Sequence, residues 1–293
     1  MQADDGDRGE GAGFGPEDHD RGWAEPIPLA RPWTLPPVMA QPANPLLLRE
    51  ISAGRAGLHL LVMLGAFAAL TLIFSVVFML TGGAEPDAEG HVDLNLLFLV
   101  TICGGGALAA GALGLVRLSG VRVRALGVAS RSLAVDVLLG VPVAVASYVA
   151  YLVCFGVMFL IWPEGAHELQ GNVDRVKAMS PDLGIGWLLL MMLAVASYEE
   201  LLFRGFLVTH LRRITGSWVA AVVVGGALFA SLHVGSGVGT QAPAVFFPLL
   251  AVAAIWASVF IWRRSLVPGI VGHALFNWAQ LVVLKYVAAH GQT

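Results

Sequence analysis

Charged side chains are scarce in this sequence: Asp, Glu, Lys and Arg make up 13% of 293 residues, against 57% hydrophobic ones. A water-soluble domain of that size could not cover its surface with so few, so the composition calls for a membrane. Cysteine is nearly absent, and its two instances, Cys103 and Cys154, fall inside apolar runs. That placement argues against a disulfide or a metal pair and for small packing residues. A basic start followed by a short apolar stretch is also lacking, so no cleavable signal is expected. No internal repeat is found. The glycine-rich run GGGALAAGALG at 104–114 has the small residues of close helix packing in lipid rather than of a phosphate loop. No nucleic-acid partner is expected; the lipid bilayer is.

Long apolar runs are what the chain has in quantity. Seven lie near 57–81, 95–116, 133–162, 185–211, 217–235, 243–262 and 265–284, each close to the roughly 20 helical residues that cross about 30 Å of hydrocarbon. The expected fold is an all-α multi-pass membrane protein of about seven transmembrane helices. Loop charges orient it, because Lys and Arg are retained on the cytoplasmic side. Arg49 and Arg55 precede the first run; Arg117, Arg122, Arg124 and Arg131 follow the second; Arg212 with Arg213, and Arg263 with Arg264, mark two later turns. The alternate loops are acidic (Glu85, Asp87, Glu89, Asp93; Glu164, Glu168, Asp174, Asp182) or uncharged (GSGVGTQAP). This pattern implies a cytoplasmic N-terminus and an external C-terminus, in the plasma membrane if the cell is bacterial. Residues 1–50, acidic and then proline-rich, read as a disordered cytoplasmic tail. Residues 51–184 then hold three helices, and 185–290 hold a core of four.

Against that background the stretch SYEELLFRGFL stands out, since an ionisable group near the bilayer centre costs at least about 2.5–3.5 kcal/mol. Glu200 and Arg204 are four apart on one helical face and can neutralise each other. Glu199 is turned about 100° away and needs a partner from another helix. Two later runs offer one: LFASLHVG carries His233, and GHALFNWAQ carries His273 and Asn277 one turn apart. At about 1.5 Å per residue, Glu199 and Asn277 fall about 18 Å deep, His273 about 12 Å and His233 about 24 Å, so His233 requires a late-starting or tilted helix. A carboxylate, an imidazole and two convergent donors suffice to activate water against an amide and to hold the oxyanion that results. Asp136, near one end of its run, is expected to meet Arg131 or water. His210 is expected at the interface, as is His290, and Met191 and Met192 in the core or against lipid.

Glu199-Glu200-Leu-Leu-Phe-Arg204, Phe229-Ala-Ser-Leu-His233 and His273-Ala-Leu-Phe-Asn277 resemble the EExxxR, FxxxH and HxxxN motifs of the CPBP family, which includes type II CAAX prenyl endopeptidases and bacterial Abi or bacteriocin-immunity proteins. The likeness covers about residues 185–284. It implies an intramembrane endopeptidase acting on a membrane-associated protein or peptide, prenylated or not. Glu199 and His233 would activate water, His273 and Asn277 would form the oxyanion pocket, and Glu200 with Arg204 would support the site or engage the substrate. No cofactor is assigned, although Glu199, His233 and His273 are also a zinc-ligand set. The rival reading is a catalytically silent membrane-binding, immunity or scaffold protein of the same fold. A transporter would require inverted repeats and broken helices, which the sequence lacks.

Overall fold

The computed structural model describes residues 51–81, 94–130, 132–163, 184–234 and 242–290. The tail 1–50, the acidic loops and the GSGVGTQAP loop lie outside them. The described residues form helices and short turns with no strand. The helices are α1 (Ala53–Thr81), α2 (Leu94–Leu118), α3 (Leu133–Ile161), α4 (Ile185–Thr215), α5 (Trp218–His233), α6 (Ala242–Arg263) and α7 (Val267–His290), with a 3₁₀ turn at Val123–Leu126 between α2 and α3. Six are long and apolar enough to cross a bilayer, and α5, at 16 residues, is not. The protein is an all-α multi-pass membrane protein. The seven helices match the number expected, with α5 shorter than the run read for it at 217–235.

In hydrocarbon every backbone N–H and C=O must find its partner within the protein, and helices meet that demand segment by segment. What then joins the helices is close contact between small residues. Gly140 of α3 and Gly272 of α7 mark one crossing, where a Cβ on Gly140 would overlap Val271 and one on Gly272 would stand 2.6 Å from Val143 Cγ1. Gly226 of α5 likewise admits Leu250 of α6. The glycine-rich run of α2 behaves as expected: Gly104 takes the ring of Phe74 from α1, and Gly105 takes that of Tyr198 from α4. Through such contacts α3 backs α6 and α7, α5 lies on α6, and α4 lies on α7. Cys103 and Cys154 are unpaired.

The first helix is attached differently. The most apolar 18-residue stretch of α1 has no buried residue, and its contacts concentrate on α2 and on the last turns of α4. Three polar contacts hold that end: Arg213 Nε donates to Ile51 O at 2.6 Å, His59 Nδ1 lies 3.1 Å from His210 Nε2, and Ser119 Oγ lies 2.9 Å from His59 Nε2. His210 is therefore fully buried, not interfacial as its place in the sequence suggests, because α1 covers it. Its Nδ1 donates to Phe206 O at 2.7 Å. The side chain of His290 is not among those described.

A second anchor ties α3 to the end of α6. Asp136, 1% exposed, accepts from Arg263 Nε at 2.9 Å and NH2 at 2.7 Å, and from Ser130 Oγ at 2.7 Å. Among the described residues the partner is Arg263, 127 positions away; the expected Arg131 lies outside them. Removing one member of a buried pair strands the other, but Arg263 keeps 24% of its side chain exposed and can turn toward water. Asp136→Ala is expected to cost about 1–3 kcal/mol of stability, read as a lowered melting temperature in detergent. Adding Arg263→Leu should recover part of it, and a single variant that melts with the wild type would show the pair to be inert.

Candidate active site

The site is built on the middle of α4, where regular α-helix gives way to a π-helical segment. Ile185–Glu200 is α-helical, Leu201–Val208 is π-helical, and Thr209–Thr215 returns to α. A π segment carries more residues per turn than an α-helix and is most often found at functional sites. Where it relaxes, side chains complete the backbone bonding: Thr209 Oγ1 donates to Gly205 O and Phe206 O, and His210 joins it at Phe206 O. Gly205 lets the 3₁₀ turn press against the segment, since a Cβ there would be 2.9 Å from Leu126 O.

Glu200 and Arg204 point into the protein and are buried, at 0% and 2% exposure. Glu200 Oε1 lies 3.0 Å from Arg204 NH1, the i, i+4 pair that the spacing implies. That contact is an ion pair without hydrogen-bond geometry, because neither NH1 nor NH2 of Arg204 has a hydrogen-bond acceptor. Instead the guanidinium is held between aromatic faces, 4.6 Å from the centroid of Phe229 and 4.9 Å from that of Trp256. Glu200 Oε1 also lies 3.0 Å from His273 Nδ1 on α7. Gly269, one turn earlier on α7, makes room for the carboxylate: a Cβ there would be 2.9 Å from Glu200 Oε2.

Glu199 points elsewhere, toward two imidazoles from two other helices. Its Oε2 is 3.9 Å from His233 Nε2 and 3.6 Å from His273 Nε2, and it has no hydrogen-bond partner. The neutral-ring tautomers follow from the opposite edges: His233 Nδ1 donates to Phe229 O at 2.8 Å, and His273 Nδ1 donates to Glu200. Both Nε2 atoms then carry lone pairs, so three acceptors converge with no donor among them. Asn277, one turn beyond His273, is half-buried and makes no hydrogen bond to another described side chain or backbone group.

Glu199 and His233 also line a cavity of about 1180 Å³, whose other walls are almost wholly apolar. Leu60, Met63, Phe67 and Phe74 of α1 and Gly104, Gly105 and Leu108 of α2 form one side, and α4 and α5 form the other. Tyr198, beside Glu199, lines it as well. His233 is the most open of the polar groups, with 36% of its side chain exposed, and Glu199 keeps 13%. The cavity therefore joins an oily volume to a carboxylate.

A zinc ion bound tetrahedrally at about 2.0–2.1 Å brings its donor atoms to about 3.3 Å from one another. The separations of 3.6 and 3.9 Å here are wider, and among the described residues no three His, Cys, Asp or Glu side chains are arranged to hold a metal ion.

Five motif residues come together, Glu199, His233 and His273 around one point with Glu200 and Arg204 behind it, and Asn277 is one turn beyond His273 on α7. Asp136 stands apart, committed to Arg263. Sequence reasoning missed Trp256, which stacks on His273 with ring centroids 4.0 Å apart and planes 22° apart. No spacing signal marks it, because its partners are on other helices; a lone Trp inside an apolar run is the only trace.

Residues 181–279, roughly a third of the chain, match the family described as type II CAAX prenyl endopeptidase Rce1-like. No curated protein and no solved structure gives a significant match. The matched stretch holds Glu199, Glu200, Arg204, His233, His273 and Asn277, and thus every residue of the cluster that the motifs pick out. Over that stretch the chain is therefore similar to the type II CAAX prenyl endopeptidase Rce1-like family, in keeping with the CPBP motifs.

Proposed function

We propose that the protein is an intramembrane endopeptidase that hydrolyses a peptide bond of a membrane-associated protein or peptide, of the prenylated CAAX type that the description of the matched family names. The observation that carries this reading is the convergence of Glu199 Oε2 with the Nε2 atoms of His233 and His273 at the wall of an apolar cavity. A water molecule at that point gives its two hydrogens to Glu199 and His233, and its oxygen lone pair then faces a substrate carbonyl. As the oxygen attacks, the proton passes to Glu199, the general base. The tetrahedral oxyanion is met by the Asn277 side-chain N–H and by His273 in its imidazolium form. That form donates from both ring nitrogens, Nδ1 to Glu200 and Nε2 to the oxyanion. The C–N bond breaks as the proton held by Glu199 moves to the leaving amine.

No step in this sequence uses a metal. Glu200 and Arg204 keep His273 in place, and the apolar walls accept the membrane-bound part of the substrate. The loop charges support an N-terminus in the cytoplasm and an external C-terminus, with the substrate entering from the cytoplasmic side or from the lipid.

The test is cleavage of a farnesylated CAAX peptide reporter by the purified chain in lipid vesicles. Glu199→Gln is expected to lower kcat by at least about 10²-fold while the protein stays folded, and Asn277→Ala by about 10²–10³-fold. Comparison of membrane proteomes with wild type and Glu199→Gln should reveal a protein that accumulates uncut. A Glu199→Gln variant with wild-type turnover would end the proposal, and one that preserves a cellular phenotype without any cleavage would favour a silent binding protein instead. Treatment with EDTA or 1,10-phenanthroline should leave the rate within about twofold of the untreated enzyme, since none of the described steps draws on a zinc ligand set; loss of activity that zinc restores would reassign Glu199, His233 and His273 as ligands.

A further inference from the structure

The geometry points to Trp256 as a positioning residue for this chemistry, an inference that rests on the proposed peptide-bond hydrolysis. Trp256 lies on α6, is 1% exposed, and belongs to none of the three motifs. Its indole has two working faces or edges and one anchor. Against His273 it stacks nearly parallel, 4.0 Å between centroids. Toward Arg204 it offers its π-face at 4.9 Å, completing with Phe229 the aromatic seat of a guanidinium whose NH1 and NH2 have no hydrogen-bond acceptor. The anchor is on α3: Trp256 Nε1 donates to Ser147 Oγ at 2.9 Å, and Ser147 Oγ donates in turn to Val143 O at 2.8 Å.

The consequence for His273 follows from its degrees of freedom. An imidazole is placed by two side-chain torsions. Its Nδ1 bond to Glu200 holds one edge of the ring, but the ring can still swing about that contact. The flat indole removes the swing by fixing the plane of the ring. With edge and plane both set, Nε2 is left facing Glu199 Oε2, at 3.6 Å. A misplacement of about 1 Å at such a group can cost about 10²-fold in rate. Trp256 also packs in an apolar cluster with Val143, Phe229, Val252, Ala253 and Phe276. A purely packing role would make any loss track stability and side-chain volume, whereas positioning makes it track the flatness and the tether of the ring.

Three variants separate the two, measured on the farnesylated peptide reporter together with melting temperature. Trp256→Leu is expected to lower kcat by about 10–100-fold with KM within about twofold of wild type. Trp256→Phe, which keeps a flat ring, should recover most of that loss. Ser147→Ala, which frees the indole without removing it, should lower kcat several-fold with a melting temperature near that of the wild type. Proton NMR of histidine-labelled protein gives a readout free of turnover: the ring-current shift of the His273 Cε1–H should be present in the wild type and absent in Trp256→Leu. If Trp256→Leu fails to fold, Ser147→Ala and Trp256→Phe decide the matter. Wild-type kcat in Ser147→Ala and in a folded Trp256→Leu, with Glu199→Gln inactive, would overturn the positioning role alone. A wild-type chain that cleaves nothing, or an active Glu199→Gln, would bring down the hydrolytic reading and this inference with it.

Discussion

A carboxylate and a guanidinium removed from water within an apolar bundle must answer each other, and the Glu200–Arg204 pair is where this protein meets that demand. Ionised groups in hydrocarbon are tolerated only when paired, hydrogen-bonded or facing an internal cavity. The pair fulfils the condition locally, four residues apart on α4, and then recruits its surroundings. Glu200 takes His273 from α7, Arg204 takes Phe229 from α5 and Trp256 from α6, and Trp256 reaches Ser147 on α3. Five helices are thereby registered on one charge pair. Glu199, one residue away, inherits a fixed frame while its Oε2 keeps no hydrogen-bond partner.

Most of the site was legible in the sequence because its logic is local. The i, i+4 spacing of Glu200 and Arg204 and the rotation of Glu199 away from them follow from helix geometry alone. His233, His273 and Asn277 could be assembled from depth and from their excess of polarity in oily runs. The number of helices was legible for the same reason, since length and hydropathy suffice. What escaped depends on which way a helix faces. A transmembrane helix is apolar all round, so the amphipathic stripe that orients a helix in a soluble protein is missing. Hence the burial of His210 under α1, the pairing of Asp136 with Arg263 and the stacking of Trp256 on His273 left no periodic trace. The π segment escaped for another reason: the composition of Leu201–Val208 carries no pattern that marks a π turn.

The division of the chain between chemistry and access is also plain. Every motif residue falls within 181–279, while one wall of the cavity comes from α1 and α2, outside that stretch. Those helices present mainly Leu, Met and Phe side chains to the cavity.

The gathering of the polar contacts of α1 at one end has a mechanical consequence. Its polar contacts gather at Ile51 and His59, whereas Met79, near the other end, lies on the rim of the cavity. A rod pivoted at His59 carries Met79 at a radius of about 30 Å. A tilt of about 10° then sweeps the far end through about 5 Å, close to the spacing between neighbouring extended chains. The cavity wall near Met79 would therefore respond most to a turn of α1 about its contacts at Ile51 and His59.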